Sequence, residues 1–144
     1  EAWRTRTPVA GVNPIGWLVW HIARGQDGQV GMLVDRNQEW VAGNWAPRFA
    51  LEPDPWNMGY GHTPEQVASV RPDSVQVLLD YYDAVWARTR AVLEGVTTAD
   101  LDRVVDQDWD PPVTMGVRLV SIVDDDVQHA GQAWYLRGLF ERSA

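Results

Sequence analysis

Two residues near the C-terminus have the types and the spacing to bind one metal ion. Asp125 and His129 lie four positions apart in a segment with a helical pattern. Because an α-helix has 3.6 residues per turn, this spacing places both side chains on one face, one turn apart. A carboxylate and an imidazole so placed can bind one metal ion, or they can be two hydrogen-bonding groups of a core. The pair therefore needs a third ligand from elsewhere in the chain.

His21 is the candidate for the third ligand. It lies in the middle of another helical pattern, on the stripe of large apolar residues that should face inward. His21, Asp125 and His129 together make a set of two histidines and one carboxylate. Such a set suits Zn²⁺ first, or Ni²⁺ or Fe²⁺, and leaves coordination positions for water or substrate. The alternative stays open, because a single histidine within a helix is more often a hydrogen-bonded core or surface residue.

The other polar residues near these positions give weaker evidence for a functional site. His62 lies in a loop before a helix start, so it is either a capping-region residue or a residue at the mouth of a pocket. Asp124 and Asp126 flank Asp125 and predict a partly solvated face. Only if one of them turned inward could it serve as the general base of a metal-dependent hydrolase. The chain has neither a G-x-S-x-G nucleophile elbow nor a glycine-rich phosphate loop.

The composition argues against several classes of protein. With 144 residues and a net charge of −8, the chain predicts one domain that binds neither nucleic acid nor an anionic membrane through phosphate contacts. It has no cysteine, so thiol chemistry would need a thiol from outside. No apolar run reaches the ~20 residues of a transmembrane helix, and no signal peptide is visible. We therefore expect a cytoplasmic protein.

The elements that must position the candidate ligands are helices. Helical periodicity without strand alternation predicts an all-α fold with long helices over about 15–34, 72–94 and 114–140. Asn13 and Thr114 are the expected caps of the first and last of these. Shorter helical stretches are predicted over about 35–45, 63–70 and 98–103. The proline- and glycine-rich residues 46–62 predict a long crossover loop, as in a bundle with an overhand connection.

Two glycines interrupt the helix that carries His21. Gly25 and Gly28 each cost roughly 1 kcal/mol relative to alanine in a helix interior. Either they let another helix or a ligand approach closely, or they are an exposed weakness that the fold tolerates.

Several segments resemble the DinB/YfiT-like superfamily. The W-L-x-x-H arrangement within residues 13–24 resembles the second helix of these proteins, which carries one metal-binding histidine. The segment Asp125-x3-His129-Ala-Gly-Gln132 resembles the H-x3-H-R-G-Q segment that supplies the other two ligands. A carboxylate at the first of these two positions is similar to the mycothiol-dependent maleylpyruvate isomerase branch, which has a glutamate there. Residues 59–65 and 110–114 resemble an actinobacterial subgroup of small DinB-like proteins.

The resemblance implies a DinB-like four-helix bundle whose first helix would precede Glu1. We therefore expect residues 1–144 to be one DinB-like domain, truncated at its N-terminus and left with an open apolar face. His21, Asp125 and His129 would hold the metal, and Asp125, the shortest ligand, would bind weakly or through water. Residues expected to support the site or shape its pocket are Gln132, Arg24, His62, Trp17, Trp20, Trp134 and Tyr135. Arg24 would do so by contacting an anionic substrate or by pairing with an aspartate of the last long helix. For the four aromatic residues, a plain core position is the more common alternative.

The activity that the resemblance implies is a metal-dependent transferase or isomerase. It would use an external thiol such as mycothiol or bacillithiol on a small electrophile, since a Lewis-acidic metal lowers the pKa of a thiol. The alternative is a non-catalytic helical module with a vestigial or structural metal site, linked to stress or to partner binding. A homodimer is possible, because dimers are common in the family.

Overall fold

The computed structural model describes residues 4–34 and 37–143, without the side chain of Ser143. The fold is mostly helical, which confirms the predicted class. In chain order the helices are α1 (Ile15–Leu33), α2 (Glu39–Ala42), α3 (Pro64–Ser69), α4 (Val75–Glu94) and α5 (Met115–Ser143), with 3-10 turns at Ala46–Phe49 and Thr98–Asp100. The predicted helix over 35–45 is shorter than expected, and residues 35 and 36 lie outside the described part of the chain. A long, mostly irregular connection joins α2 to α3, as predicted for residues 46–62.

The first long helix, α1, lies at the centre of the fold. It packs against α4 on one side and α5 on another, and nearly all of its residues are buried. This burial agrees with the large apolar residues in its first half. Its second half buries polar side chains that have hydrogen-bond partners, namely Arg24, Gln26, Asp27 and Gln29. The core around it is rich in aromatic residues, among them Trp17, Trp20, Trp40, Phe49 and Tyr81. A side chain in the middle of α1 is therefore held rigidly.

The starts of α3, α4 and α5 have local caps, whereas those of α1 and α2 do not. Thr63 forms both hydrogen bonds of a capping box with Gln66. Thr114 Oγ1 accepts a hydrogen bond from the Val117 amide. The predicted Asn13 cap of α1 is wrong, because Pro14 occupies the N-cap position with an extended backbone, and no side chain caps this helix end.

Two short strands contradict the expectation that the chain has none. Residues Val104–Asp106 (β1) and Val113–Thr114 (β2) pair antiparallel, with Val104 opposite Thr114 and a bulge before the next pair. Strands of two and three residues are too short to show a readable alternation of apolar and polar side chains. The hairpin leads directly into α5.

An apolar groove of about 960 Å³ lies between the N-terminal half of α1 and the C-terminal half of α5. Its walls include Ile15, Val19 and Trp134. Trp134 and Tyr135 are 69% and 67% exposed, so the alternative that they are plain core residues is wrong. The helix expected before Glu1 lies outside the described residues, and the truncation stays a prediction. None of the helices in the described part of the chain has the length and apolar character needed to cross a bilayer.

Candidate metal centre

The structure brings together the three residues that the sequence suggested as ligands. His21 Nε2 lies 3.8 Å from Asp125 Oδ2, and His129 Nε2 lies 3.5 Å from Asp125 Oδ1. One potential ligand atom from each residue lies within 4.8 Å of the other two. His21 comes from the centre of α1, and the other two come from successive turns of α5. The packing of α1 on α5 therefore creates the cluster.

The hydrogen bonds of the two imidazoles fix which nitrogen faces the cluster. His21 Nδ1 contacts the carbonyl oxygen of Met58. His129 Nδ1 lies 3.0 Å from Gln132 Oε1, so Gln132 supports this ring as the resemblance implied. Because both oxygens can only accept, each Nδ1 carries the hydrogen, and each Nε2 presents its lone pair towards Asp125. Metal-binding histidines in proteins are oriented in this way.

The carboxylate of Asp125 is incompletely satisfied without a cation. Its Oδ2 atom is buried and has no hydrogen-bond partner. Ligand atoms around a tetrahedral metal at ~2.0–2.2 Å lie about 3.3–3.6 Å apart. The shortest contacts between each imidazole and the carboxylate, 3.8 and 3.5 Å, are close to this value, and one atom from each residue lies within 4.8 Å of the others. Asp125 also reaches both imidazoles, although it is shorter than histidine or glutamate. The residues present therefore fit a divalent metal ion.

One side of the cluster is closed and the other is open. His21 is buried, whereas the side chains of Asp125 and His129 keep 24% and 19% of their surface exposed. Gly25 and Gly28 are both buried, so the explanation of an exposed weakness is wrong. A Cβ at Gly28 would collide with Met58, and a Cβ at Gly25 would lie 3.5 Å from Asp125 Oδ2. The missing side chain of Gly28 therefore permits the close approach of Met58, whereas Gly25 leaves room for a methyl group beside Asp125. The exposed parts of Asp125 and His129 make the cluster accessible from solvent.

A segment of the crossover loop, residues 55–62, covers His21; we call it the strap. Gly59 in the strap has φ +96°, a conformation that favours glycine. A Cβ at this position would lie 2.8 Å from His21 Nδ1 and 2.9 Å from Trp17 Cζ2. Glycine therefore lets the strap come close enough for the Met58 carbonyl to bind His21.

Arg24 holds the strap from beneath and does not face the site. It is fully buried and donates to the carbonyl oxygens of Pro55 (2.9 Å) and Asn57 (3.1 Å). Its charge is paired with Asp27, one turn further along α1, at 3.3 Å. The expectation that Arg24 meets an anionic substrate or an aspartate of the last helix is therefore wrong. The spacing of Arg24 and Asp27 was the sequence signal for this pair.

His62 and the two tryptophans surround the cluster without joining it. His62 Nδ1 accepts a hydrogen bond from Trp17 Nε1 (3.2 Å), and His62 Nε2 donates to Asn57 Oδ1 (2.8 Å). Burial lowers the pKa of His62, in keeping with this neutral form. The Trp17 ring stacks on His21 with centroids 4.7 Å apart, and Trp20 is fully buried in the core. Trp17 thus walls the site, while His62 fixes the end of the strap.

The electrostatics keep His21 neutral and Tyr60 protonated. Burial lowers the pKa of His21 and outweighs the opposing effects of the Met58 hydrogen bond and of Asp125. Burial, and then the charge of Asp125, raise the pKa of Tyr60, whose ring stands edge-on to His21 at 5.2 Å. Burial and Asp125 also raise the pKa of Asp126 to about 6, so that side chain is not simply solvated. Tyr60 was not singled out from the sequence, since it lies in an irregular loop.

Comparison with known proteins now identifies the family. The DinB superfamily matches residues 1–133 in sequence. The chain belongs to the DinB superfamily. A crystal structure described as that of a conserved protein from Enterococcus faecalis is similar to this DinB chain, with 38% identity and a TM-score of 0.86. The match covers 96% of this chain and 81% of that one. No curated protein matches the chain.

We expect Gly59→Ala to weaken metal binding by this DinB chain by about 10- to 100-fold, the usual cost of losing a partner of a metal ligand. The added methyl group would force the strap away from His21 and break the contact with the Met58 carbonyl. Titration with Co²⁺, followed by its visible absorption, measures the change. Gly61→Ala is a matched control, because Gly61 also has positive φ but a Cβ there would meet no atom within 4 Å. An equal effect of both changes would contradict a specific role of the strap.

Proposed function

We propose that this chain is a metal-dependent enzyme that uses a low-molecular-weight thiol on a small electrophile, by transfer or by thiol-assisted isomerisation. The observation that carries the proposal is that two imidazole Nε2 atoms face the two oxygens of one carboxylate, of which Oδ2 is buried and has no hydrogen-bond partner. His21, Asp125 and His129 would hold a divalent metal, zinc being the first candidate. Bound there, the metal would lower the pKa of a thiol so that the thiolate is available near neutral pH.

The chain's own residues prepare this site in three ways. Met58 and Gln132 fix the two histidines in the tautomer whose Nε2 faces the cluster. Burial holds His21 uncharged, so its lone pair is free at neutral pH. The strap and Trp17 exclude water from the inner side of His21, while the outer side stays open for a ligand.

An external thiol is supported by two features of the sequence. The chain contains no cysteine and so has no thiol nucleophile of its own. The carboxylate at position 125 resembles the mycothiol-dependent maleylpyruvate isomerase branch of the superfamily. We therefore propose that the enzyme is cytoplasmic and uses a thiol such as mycothiol or bacillithiol. The competing hypothesis is a non-catalytic module with a structural or vestigial metal site.

The proposal is tested with protein purified without a histidine tag and loaded with Zn²⁺ or Co²⁺. A panel of thiols, including mycothiol, bacillithiol and cysteine, is incubated with a panel of small electrophiles. We expect metal-loaded protein to accelerate thiol consumption with at least one pair, or conversion of the electrophile where the thiol is regenerated, and chelator-treated protein to do neither. Metal binding without turnover for any pair would favour the non-catalytic module.

A further inference from the structure

A small space beside the metal cluster is bordered by three polar side chains. The space lies above Gly25 and exists because glycine has no side chain to fill it. A Cβ at Gly25 would have Asp125 Oδ2 at 3.5 Å and both Gln29 Nε2 and the Tyr60 hydroxyl oxygen at 3.9 Å. These are ordinary van der Waals distances, so the space admits at least one atom of the size of a methyl group. It lies next to the carboxylate that we assign to the metal.

Tyr60 reaches this space from the strap. Glycines with positive φ flank it on both sides, at positions 59 and 61, and these conformations turn the ring over α1. The ring packs edge-on against His21, with centroids 5.2 Å apart. The residue is 59% exposed, so Tyr60 stands at the mouth of the site, with its hydroxyl directed inward.

The hydroxyl of Tyr60 accepts a hydrogen bond from the side-chain amide of Gln29 at 3.4 Å. Gln29 is itself only 6% exposed, and its Oε1 lies 3.4 Å from the Ser121 hydroxyl. An amide N–H that donates to the phenol oxygen leaves the phenol proton free to point elsewhere. Among the described residues, no acceptor for this proton is within hydrogen-bonding distance. A donor without an acceptor, aimed beside a metal cluster, is a feature of ligand recognition.

We propose that Tyr60 is a substrate-contacting residue whose hydroxyl donates a hydrogen bond to an oxygen atom of a ligand bound above Gly25. The ligand class is a small carbonyl, carboxylate or related oxygen anion, since these groups accept hydrogen bonds and can reach a metal at the same time. Gln29 is a positioning residue, because it acts only through the Tyr60 oxygen. The inference rests on the proposed metal centre and adds to it the recognition of the electrophile's oxygen.

The test uses the 144-residue chain loaded with Co²⁺, and acetohydroxamate, a small oxygen ligand, as the probe. Titration is followed by the visible absorption of the cobalt. We expect Tyr60→Phe to bind cobalt as the unchanged protein does, but to bind acetohydroxamate about 10- to 100-fold more weakly, as for a lost hydrogen bond to a charged group. Tyr82→Phe, which removes the hydroxyl of a part-exposed tyrosine on α4, is the control and should change neither value.

A second variant tests the space without touching Tyr60. Gly25→Ala places a methyl group where the probe would bind, and the distances above show that the fold accepts it. We expect normal cobalt binding and a similar loss of acetohydroxamate affinity. If Tyr60→Phe binds the probe as tightly as the unchanged protein, the assignment of Tyr60 is overturned while the metal centre stands. If the unchanged protein binds no cobalt, the metal centre fails and the Tyr60 assignment with it.

Discussion

Replacement of Arg24 by methionine should lower the free energy of unfolding by about 3–5 kcal/mol, the range for removing one partner of a buried ion pair. Arg24 and Asp27 have side chains that are 0% and 1% exposed, so the change leaves the Asp27 carboxylate buried without its cation. It also leaves the carbonyl oxygens of Pro55 and Asn57 without their donor. Methionine retains much of the side-chain volume, so a cavity contributes little to the effect.

Urea denaturation of the metal-free protein measures this change, with Arg90→Met as the control. Arg90 also forms an ion pair with a carboxylate, that of Glu94. The two side chains are 61% and 72% exposed, so this ion pair should contribute less than ~0.5 kcal/mol to stability. The double variant Arg24→Met with Asp27→Asn should cost less than the sum of the two single changes, because the unpaired charge is removed. Additive effects, or a loss below ~1 kcal/mol for Arg24→Met, would show that the pair does not anchor the strap.

The metal ligands and Arg24 show which features of the site the sequence can predict and which it cannot. His21, Asp125 and His129 could be proposed because helical spacing is local, and because short motifs around them resemble a known family. The sequence points Arg24 to an anionic substrate or to an aspartate of the last helix, because it does not reveal the strap that Arg24 contacts. The path of an irregular loop depends on contacts with distant residues, such as the bond from Arg24 to Pro55, which no periodicity encodes.

Tyr60 and the hairpin were missed for related reasons. Tyr60 lies between two glycines in the loop, and only the folded strap brings it to His21. The β1–β2 pair is set by the return of the chain before α5, and its strands are too short to have a pattern of their own. The fold class and the candidate ligands were thus predictable, whereas the surroundings that decide the chemistry of the site were not.

The largest effect on metal binding is expected for Asp125→Ala. The change removes the ligand that lies between the two imidazoles, within 4 Å of each. We expect the affinity for Zn²⁺ or Co²⁺ to fall by more than ~100-fold. This exceeds the loss expected when a residue that only hydrogen-bonds to a metal ligand is removed. His129→Ala should behave similarly, and Asp124→Ala should not, since the neighbouring Asp124 is exposed and accepts a hydrogen bond from Gln128. Metal content after dialysis, and titration calorimetry, measure the affinities.

The stability of these variants should separate a metal ligand from a structural carboxylate. In metal-free protein, Asp125→Ala removes a buried oxygen that has no hydrogen-bond partner, so we expect stability equal to or above that of the unchanged chain. Added metal at 100 times its Kd should stabilise the unchanged chain by about 2.7 kcal/mol and leave Asp125→Ala unaffected. A carboxylate that served the fold alone would give the reverse, a loss of stability without metal and no difference in the response to metal. Thermal unfolding with and without Zn²⁺ measures both the effect of Asp125→Ala on stability and the response to metal. Together these two results decide between a metal centre and a polar contact of the core.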